Sequence, residues 1–137
     1  MSEIFFPDFE EILLVHAEII RETGGSEGLR DAGSLESALK AAQNRFNYET
    51  EDIAKLAATY AYHLSQAHVF IDGNKRVAAV VAELFLTLNG AKNGAKLNAT
   101  NDEIIELYLN IAASKLTREQ VEDKFAEWLI LVEKEDE

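Results

Sequence analysis

The stretch Val77-Ala78-Ala79-Val80-Val81-Ala82 decides the fold, because it is apolar on every side when wound into a helix. A helix without a polar face is one that the protein buries all round. We therefore expect a fourth helix, over about Gly73 to Leu88, in the middle of the molecule, with Asn89-Gly90 ending it. The whole chain has one proline and seven glycines. Few helix breakers are thus present elsewhere, and the sequence predicts an all-α protein.

Three helices are predicted before this central one from apolar spacing and capping residues. The first runs from about Asp8, which is its expected N-cap, to Thr23, where two glycines follow it. Ser34 is the expected N-cap of the second, and the third spans about Glu51 to Ala67. Between the second and third, the helical pattern is broken, and the residues also allow a short β-hairpin near Asn44 to Glu49.

Two helices are predicted after the central one. Thr100 and Thr117 are expected to cap them, with Glu103 and Gln120 completing capping boxes. The sixth helix is expected to pack an apolar stripe inward: Val121, Phe125, Trp128, Leu129 and Val132. Because no low-complexity linker or internal repeat divides the chain, we expect one domain over residues 1–137. It would be a compact bundle of about six helices around a buried central helix.

Composition and charge exclude several classes of function. The net charge is −12, from 13 basic and 25 acidic residues, which opposes direct binding to nucleic acid. The chain has no cysteine, which excludes disulfides and thiolate chemistry. Met1 to Asp8 has no basic leader before an apolar run, so we expect no signal peptide, and the longest apolar stretch, Val77 to Leu88, is too short to span a bilayer. We expect a cytoplasmic protein without a membrane partner.

The segment Asp72-Gly73-Asn74-Lys75-Arg76 at the start of the fourth helix has the features of an anion site. The first turn of a helix leaves backbone N–H groups without intrahelical partners, and the helix dipole adds positive potential. Glycine lets a ligand approach the backbone closely. Lys75 and Arg76 add two positive charges in a strongly acidic protein. Phosphate is therefore the expected ligand.

Two further residues near this segment suggest transfer chemistry. His68 lies four residues before Asp72, and its neutral imidazole could take a proton from a hydroxyl that attacks the bound phosphate. Asp72 could hold Mg²⁺, which favours one or two carboxylates together with substrate phosphates. A base, a carboxylate, a phosphate cradle and cations are what phosphoryl or nucleotidyl transfer needs.

Each of these residues also has a purely structural interpretation. Asp72 can cap the helix, His68 can be a hydrogen-bonded histidine at a helix end, and Asn74 can stabilise the turn. Lys75 and its neighbouring arginine can be solvated, and Phe70 is a core residue under either interpretation. The occurrence of all of them within nine residues favours function.

The segment His68-Val69-Phe70-Ile71-Asp72-Gly73-Asn74-Lys75-Arg76 resembles the signature HxFxDGNKR of the Doc branch of the Fic/Doc family. Every fixed position is present. The stretches Gly28 to Asp31, Leu35 to Leu39 and Phe85 to Gly90 are also similar to the family, so the resemblance covers essentially the whole chain. Two positions differ from relatives: Val77 replaces a frequent threonine, and Ala79 stands where Fic-branch enzymes have a second arginine.

The resemblance implies an enzyme that uses ATP, with Mg²⁺, to modify a protein hydroxyl. Doc-branch members transfer the terminal phosphate, with the nucleotide reversed in the site, and act as toxins on elongation factor Tu under restraint by an antitoxin. His68 would be the general base and Asp72 would position the chemistry or the metal. Gly73, Asn74, Lys75 and Arg76 would form the phosphate cradle.

There are three alternatives to a Doc-type kinase. One is a Fic-type AMP transferase, and another is a catalytically silent binding module with the same fold. A zinc hydrolase is disfavoured, because His63 and His68 lie on different helix faces and no HExxH motif exists. Residues 23–28 also match the loose inhibitory pattern [S/T]xxxE[G/N] of Fic regulators. We interpret this as a chance match, since Gly24-Gly25 disfavours a helix there.

Overall fold

The computed structural model describes residues 4–90 and 94–132. The first three residues, which belong to the segment in which we expect no signal peptide, lie outside the described residues. The fold is mostly helical, with one small antiparallel sheet, in agreement with the predicted class. The helices are α1 (Phe9–Thr23), α2 (Ala32–Tyr48), α3 (Ile53–Gln66), α4 (Asn74–Asn89), α5 (Asn101–Ala112) and α6 (Arg118–Trp128), and the strands are β1 (Ala95–Leu97) and β2 (Leu129–Leu131).

The helix starts follow the capping residues of the sequence. Asp8, Thr100 and Thr117 cap α1, α5 and α6 as predicted, each within a complete capping box. The predicted cap of α2 was wrong. Asp31 is the N-cap, and its Oδ1 accepts the N–H of Ser34 at 3.0 Å, so Ser34 lies inside the first turn. Aspartate and serine both favour the N-cap position. Because Asp31 and Ser34 are only three residues apart, the sequence alone does not decide which of them caps the helix.

The predicted break after the second helix was also wrong, because α2 continues through Tyr48 and no hairpin forms at Asn44 to Glu49. Tertiary contacts stabilise this part of the helix. Arg45 donates to Thr59 at 3.0 Å and to Glu122 at 2.5 Å, and both carry buried side chains. The ring of Phe46 meets that of Phe6 edge-on at 5.5 Å. These contacts override the weak local helix preference.

The sheet lies instead between β1 and β2, which pair with Ala95 opposite Leu131 and Leu97 opposite Leu129. Consequently α6 ends at Trp128, one residue before β2, rather than continuing to Val132. The predicted inward stripe holds for the helical part of α6. In β2 and after it the residues are partly exposed, with Val132 at 38%. An extended backbone turns successive side chains to opposite faces, so the helical spacing no longer applies.

The most buried helix is α3, and not α4 as the sequence suggested. Helix α3 packs against α2, α4, α5 and α6. Its small residues, among them Ala57, Ala58 and Ala61, are fully buried and allow neighbouring helices to approach closely. Helix α4 contributes a buried face but leaves Val80 40% exposed. Nowhere in 4–90 or 94–132 is a helix long and apolar enough to cross a membrane.

Candidate active site

The signature segment begins where α3 ends. Ala67 is the C-cap, and His68 follows with a positive φ of 49°. A left-handed residue commonly ends a helix, although glycine usually takes this position. The side chain of His68 is exposed and borders an open cleft of about 470 Å³ with Arg30 and Asp31. An external group can therefore reach the imidazole.

The loop after His68 is pinned to the chain that leads into α2. The carbonyl of Val69 accepts hydrogen bonds from the N–H groups of Arg30 at 2.7 Å and Asp31 at 3.0 Å. The N–H of Ile71 donates to the carbonyl of Gly28 at 3.1 Å. These three bonds satisfy backbone groups that a buried loop would otherwise leave unpaired. They also fix the course of the segment between α3 and α4.

The side chain of Asn74 clamps the same loop from the helix side. Its Oδ1 accepts the N–H of Phe70 at 2.9 Å, and its Nδ2 donates to the carbonyl of Phe70 at 2.9 Å. Phe70 is 2% exposed, in agreement with its predicted place in the core. The turn-stabilising interpretation of Asn74 is therefore confirmed, and both polar atoms of its amide are used within the protein.

Helix α4 begins without a side-chain cap, whereas each of the other five helices of the described chain has one. Its N-cap is Gly73, in the left-handed region at φ 83°, and a Cβ there would meet Ile20 at 3.3 Å. The capping interpretation of Asp72 was wrong, because its Oδ1 accepts only the N–H of Gly73, at 2.8 Å. The first turn of α4 thus keeps N–H groups that can bind an anion.

The loop that follows α1 contacts both charged ends of this site. Arg76 donates to the hydroxyl of Thr23 and, at 3.4 Å, to the carbonyl of Gly24. The N–H of Ser26 donates to Oδ2 of Asp72 at 3.3 Å. Asp72 and Arg76 also form an ion pair at 3.6 Å, with both side chains close to half exposed. An exposed pair of this kind contributes little to stability and can rearrange around a ligand.

The structure brings some of the predicted site residues together and leaves others apart. Residues 72–76 form one cluster at the start of α4, in which the side chain of Lys75 is exposed. Lys75 and Arg76 also border an apolar cavity of about 220 Å³ against α5. Within 4–90 and 94–132, no hydrogen bond or ion pair joins His68 to this cluster. The imidazole and the cluster are linked only through the pinned loop between them.

His16 is a site residue that the sequence analysis missed. Its Nε2 lies 2.9 Å from the carbonyl oxygen of Asp72, so this nitrogen carries the proton and donates. Its ring stacks on Phe70 at 3.8 Å between centroids and 3° between planes. The side chain is 5% exposed. The available signal was its spacing of four residues from both Ile12 and Ile20, which places a polar residue within the buried stripe of α1.

The donor atoms near Asp72 suit a hard cation held by one carboxylate. Within the described residues, no three or more acidic, histidine or cysteine side chains lie close enough together to hold a metal ion by themselves. Each oxygen of Asp72 accepts one N–H, from Gly73 and Ser26, so lone pairs remain free on both. Mg²⁺ can be held by a single protein carboxylate when substrate phosphates complete its coordination. The residues present therefore fit this ion in the presence of a nucleotide.

Comparison with known proteins identifies the family of the chain. Residues 6–86 match the model of the Fic/DOC family. The chain is 37% identical over 84 residues to "Protein kinase doc" of Escherichia phage P1, an alignment that covers 61% of this chain and 67% of the phage protein. The matched region contains α1, the pinned loop and most of α4. The chain belongs to the Fic/Doc family, in its Doc branch.

Proposed function

We propose that this protein is a Doc-type toxin that transfers the terminal phosphate of ATP to a hydroxyl of a target protein. The hydroxyl oxygen bonds to the γ-phosphorus, and the bond from that phosphorus to the β–γ bridging oxygen breaks. ADP leaves, and the hydroxyl proton goes to His68. A similar protein, from phage P1, is named a protein kinase.

The observation that carries the proposal is the uncapped start of α4. The first turn of this helix combines free N–H groups, the positive end of the helix dipole and two cationic residues, Lys75 and Arg76. The guanidinium of Arg76 has five donors, of which the contacts to Thr23, Gly24 and Asp72 occupy only some. Since the amide of Asn74 is engaged by Phe70, its part in the cradle is its backbone N–H.

The other site residues have roles that follow from their positions. His68 is exposed at the end of α3, where a neutral imidazole can accept a proton from an incoming hydroxyl. Asp72 would hold Mg²⁺, which supplies positive charge to the phosphate oxygens when it is bound. His16, through the carbonyl of Asp72, and Asn74, through Phe70, position the loop between them.

Lys75 favours phosphate over AMP as the transferred group. Fic-branch enzymes have glycine at this position, and a lysine there adds bulk and charge where a further phosphate would otherwise fit. We expect Lys75→Ala to weaken ATP binding about 10- to 100-fold, because a charge-assisted hydrogen bond to phosphate is lost. Isothermal titration calorimetry with ATP and Mg²⁺ measures this. Lys55→Ala, at an exposed lysine near the start of α3, is the matched control, and equal affinities in both variants would remove Lys75 from the site.

Glu27 is expected to have no inhibitory role. Glu27 is exposed in the loop after α1. Within the described part of the chain, its side chain forms no ion pair and no hydrogen bond. We therefore expect Glu27→Gly to transfer phosphate at the same rate as the unchanged protein. A several-fold gain in rate would show that the 23–28 pattern does inhibit, consistent with the contact of Thr23 to Arg76.

Transfer of the terminal phosphate is tested directly with labelled ATP and a cell lysate. Label on the γ-phosphate should appear on a protein, whereas label on the α-phosphate should not. The reverse result would favour AMP transfer, and no labelling by a folded protein would favour a silent binding module. The intact mass of the modified target separates phosphate from AMP independently. We propose elongation factor Tu as the first purified target to try, and a small neighbouring antitoxin as the restraining partner.

A further inference from the structure

A second polar cavity, of about 440 Å³, lies between the C-terminal part of α3 and the turn that joins α5 to α6. Its basic side chains are His63, Lys115 and Arg118. The Nε2 of His63 and the Nε of Arg118 are buried and have no hydrogen-bond partner among the residues that the structure describes. The Nε of arginine is always a donor, and buried donors without partners cost stability. The cavity therefore favours a ligand that accepts hydrogen bonds.

The wall of this cavity is rigidly built. The side-chain amide of Gln66 donates to the carbonyl of Ile111 at 2.7 Å and to the hydroxyl of Ser114 at 3.4 Å. Ser114 has a positive φ of 58°, a conformation that serine adopts only when its surroundings impose it. The ring of His63 packs edge-on against Tyr62 at 5.3 Å. Because the turn is fixed in this way, a ligand meets a preformed site and little entropy is lost on binding.

The cavity also has more cationic than acidic side chains, since Lys115 and Arg118 line it against the one carboxylate of Glu119. Nearby Arg45 is neutralised by Glu49 at 2.9 Å and by Glu122 at 2.5 Å, whereas Arg118 has no ion pair in the described part of the chain. The pKa of His63 is lowered, first by burial and then by Arg118 and Arg45. The charged groups that face His63 are Asp31, Arg45, Lys115, Arg118 and Glu119. A negatively charged ligand would relieve the excess of positive charge.

The basic cavity and the cleft of His68 both adjoin a third cavity. A middle cavity of about 510 Å³ shares His63 with the basic cavity. It shares Asp31 and Ala67 with the cleft that His68 borders. The three cavities therefore lie next to one another in a row, called the groove below, with the imidazole at one end and the basic cavity at the other.

We propose that this groove docks the protein substrate, and that His63, Lys115 and Arg118 bind a carboxylate side chain of that substrate. The carboxylate would lie several residues away from the hydroxyl at His68. The inference rests on the proposed function, because only a polypeptide substrate spans both ends of the groove. The net charge of the protein is −12, so most of its surface repels an acidic segment of a substrate. The basic cavity attracts such a segment and thereby directs it to this part of the surface.

A binding experiment tests the carboxylate site without any enzyme activity. Hexaglutamate is titrated into the intact protein while the histidine ring resonances are followed by NMR, with His63→Gln assigning the signal. We expect hexaglutamate to shift the His63 resonances and raise the pKa of His63, and hexaglutamine to do neither. The paired variant Lys115→Glu with Arg118→Gln should weaken binding at least about tenfold. The control pair Lys55→Glu with Lys96→Gln, at exposed lysines and with the same change in charge, should not.

Three results of this titration would overturn the site. These are an unmoved His63 signal, an equal loss in the control pair, and binding of inorganic phosphate as tight as that of hexaglutamate. The last would indicate a site for small free anions.

A labelling experiment then tests docking. Increasing amounts of lysate are added to the Lys115→Glu, Arg118→Gln protein in the presence of γ-labelled ATP, and labelling of the target is measured. We expect half-maximal labelling of the target to need at least about tenfold more lysate, with the maximal rate and the ATP affinity unchanged. Unchanged half-maximal labelling, or a loss of ATP affinity, would overturn the docking proposal. If the unsubstituted protein labels nothing, the proposed function fails, while the NMR result stands on its own.

Discussion

Replacing His68 with asparagine is expected to abolish phosphate transfer while leaving the fold intact. The backbone of His68 has φ 49°, a region that asparagine tolerates better than most residues. Its side chain is exposed, so few packing contacts are lost. Asparagine cannot accept the proton from the target hydroxyl, and loss of a general base lowers rates about 100- to 10,000-fold. The rate of γ-phosphate transfer should therefore fall, while the midpoint temperature of thermal unfolding stays nearly unchanged.

His68→Ala provides the comparison. Its transfer rate should fall as far as that of His68→Asn, with a small loss of stability because alanine disfavours positive φ. ATP affinity should be retained in both variants, since the imidazole is not part of the α4 cluster. Transfer at the original rate by a folded His68→Asn protein would remove the general base from the mechanism. A joint loss of transfer and ATP affinity would place His68 in the phosphate cradle instead.

The second large effect is expected for Asn74→Ala, which should reduce both stability and transfer. The change leaves the N–H and the carbonyl of Phe70 without their partners, and Phe70 is 2% exposed, so water does not readily replace them. Each unsatisfied buried group costs roughly 1–3 kcal/mol, and we expect the free energy of unfolding to fall by about 2–4 kcal/mol. Urea denaturation measures this fall. Transfer should fall too, because the clamp fixes the loop between His68 and Asp72.

The matched control is Asn47→Ala on α2. Asn47 is exposed, and its side chain takes part in no hydrogen bond within the described residues. Its stability and transfer rate should stay close to those of the unchanged protein. Transfer by Asn74→Ala should be measured at a temperature where circular dichroism shows it folded. Full transfer there, despite the lost stability, would mean that the clamp serves only the fold.

Much of the fold followed from local sequence. The caps at Asp8, Thr100 and Thr117 and the stop after Asn89 were predicted because each depends on residues within one helical turn. The break in the second helix near residues 44–49 was predicted wrongly for the same reason. There the local preference is weak, and contacts of Arg45 with α3 and α6 keep the chain helical.

The candidate site, like the fold, was predicted from the sequence only in part. The nine-residue signature identified the family and predicted the chemical groups of the site, because those residues are contiguous in the chain. It did not show that His16, 56 residues before Asp72, donates to its carbonyl, or that Thr23 and Ser26 reach the charged pair. It also left two roles open for Asn74, which the bonds to Phe70 decide.

The sequence by itself determined the helical class, most of the helix ends and the choice of candidate reactive groups, since these depend on spacing, capping and residue chemistry over a few positions. Only the tertiary structure decided that α3 is the most buried helix, that the strands lie at β1 and β2, and which groups are already engaged around Asp72 and Arg76. Such features arise from packing between segments distant in the chain. Many pairings satisfy the same local preferences, and burial of the whole core selects one.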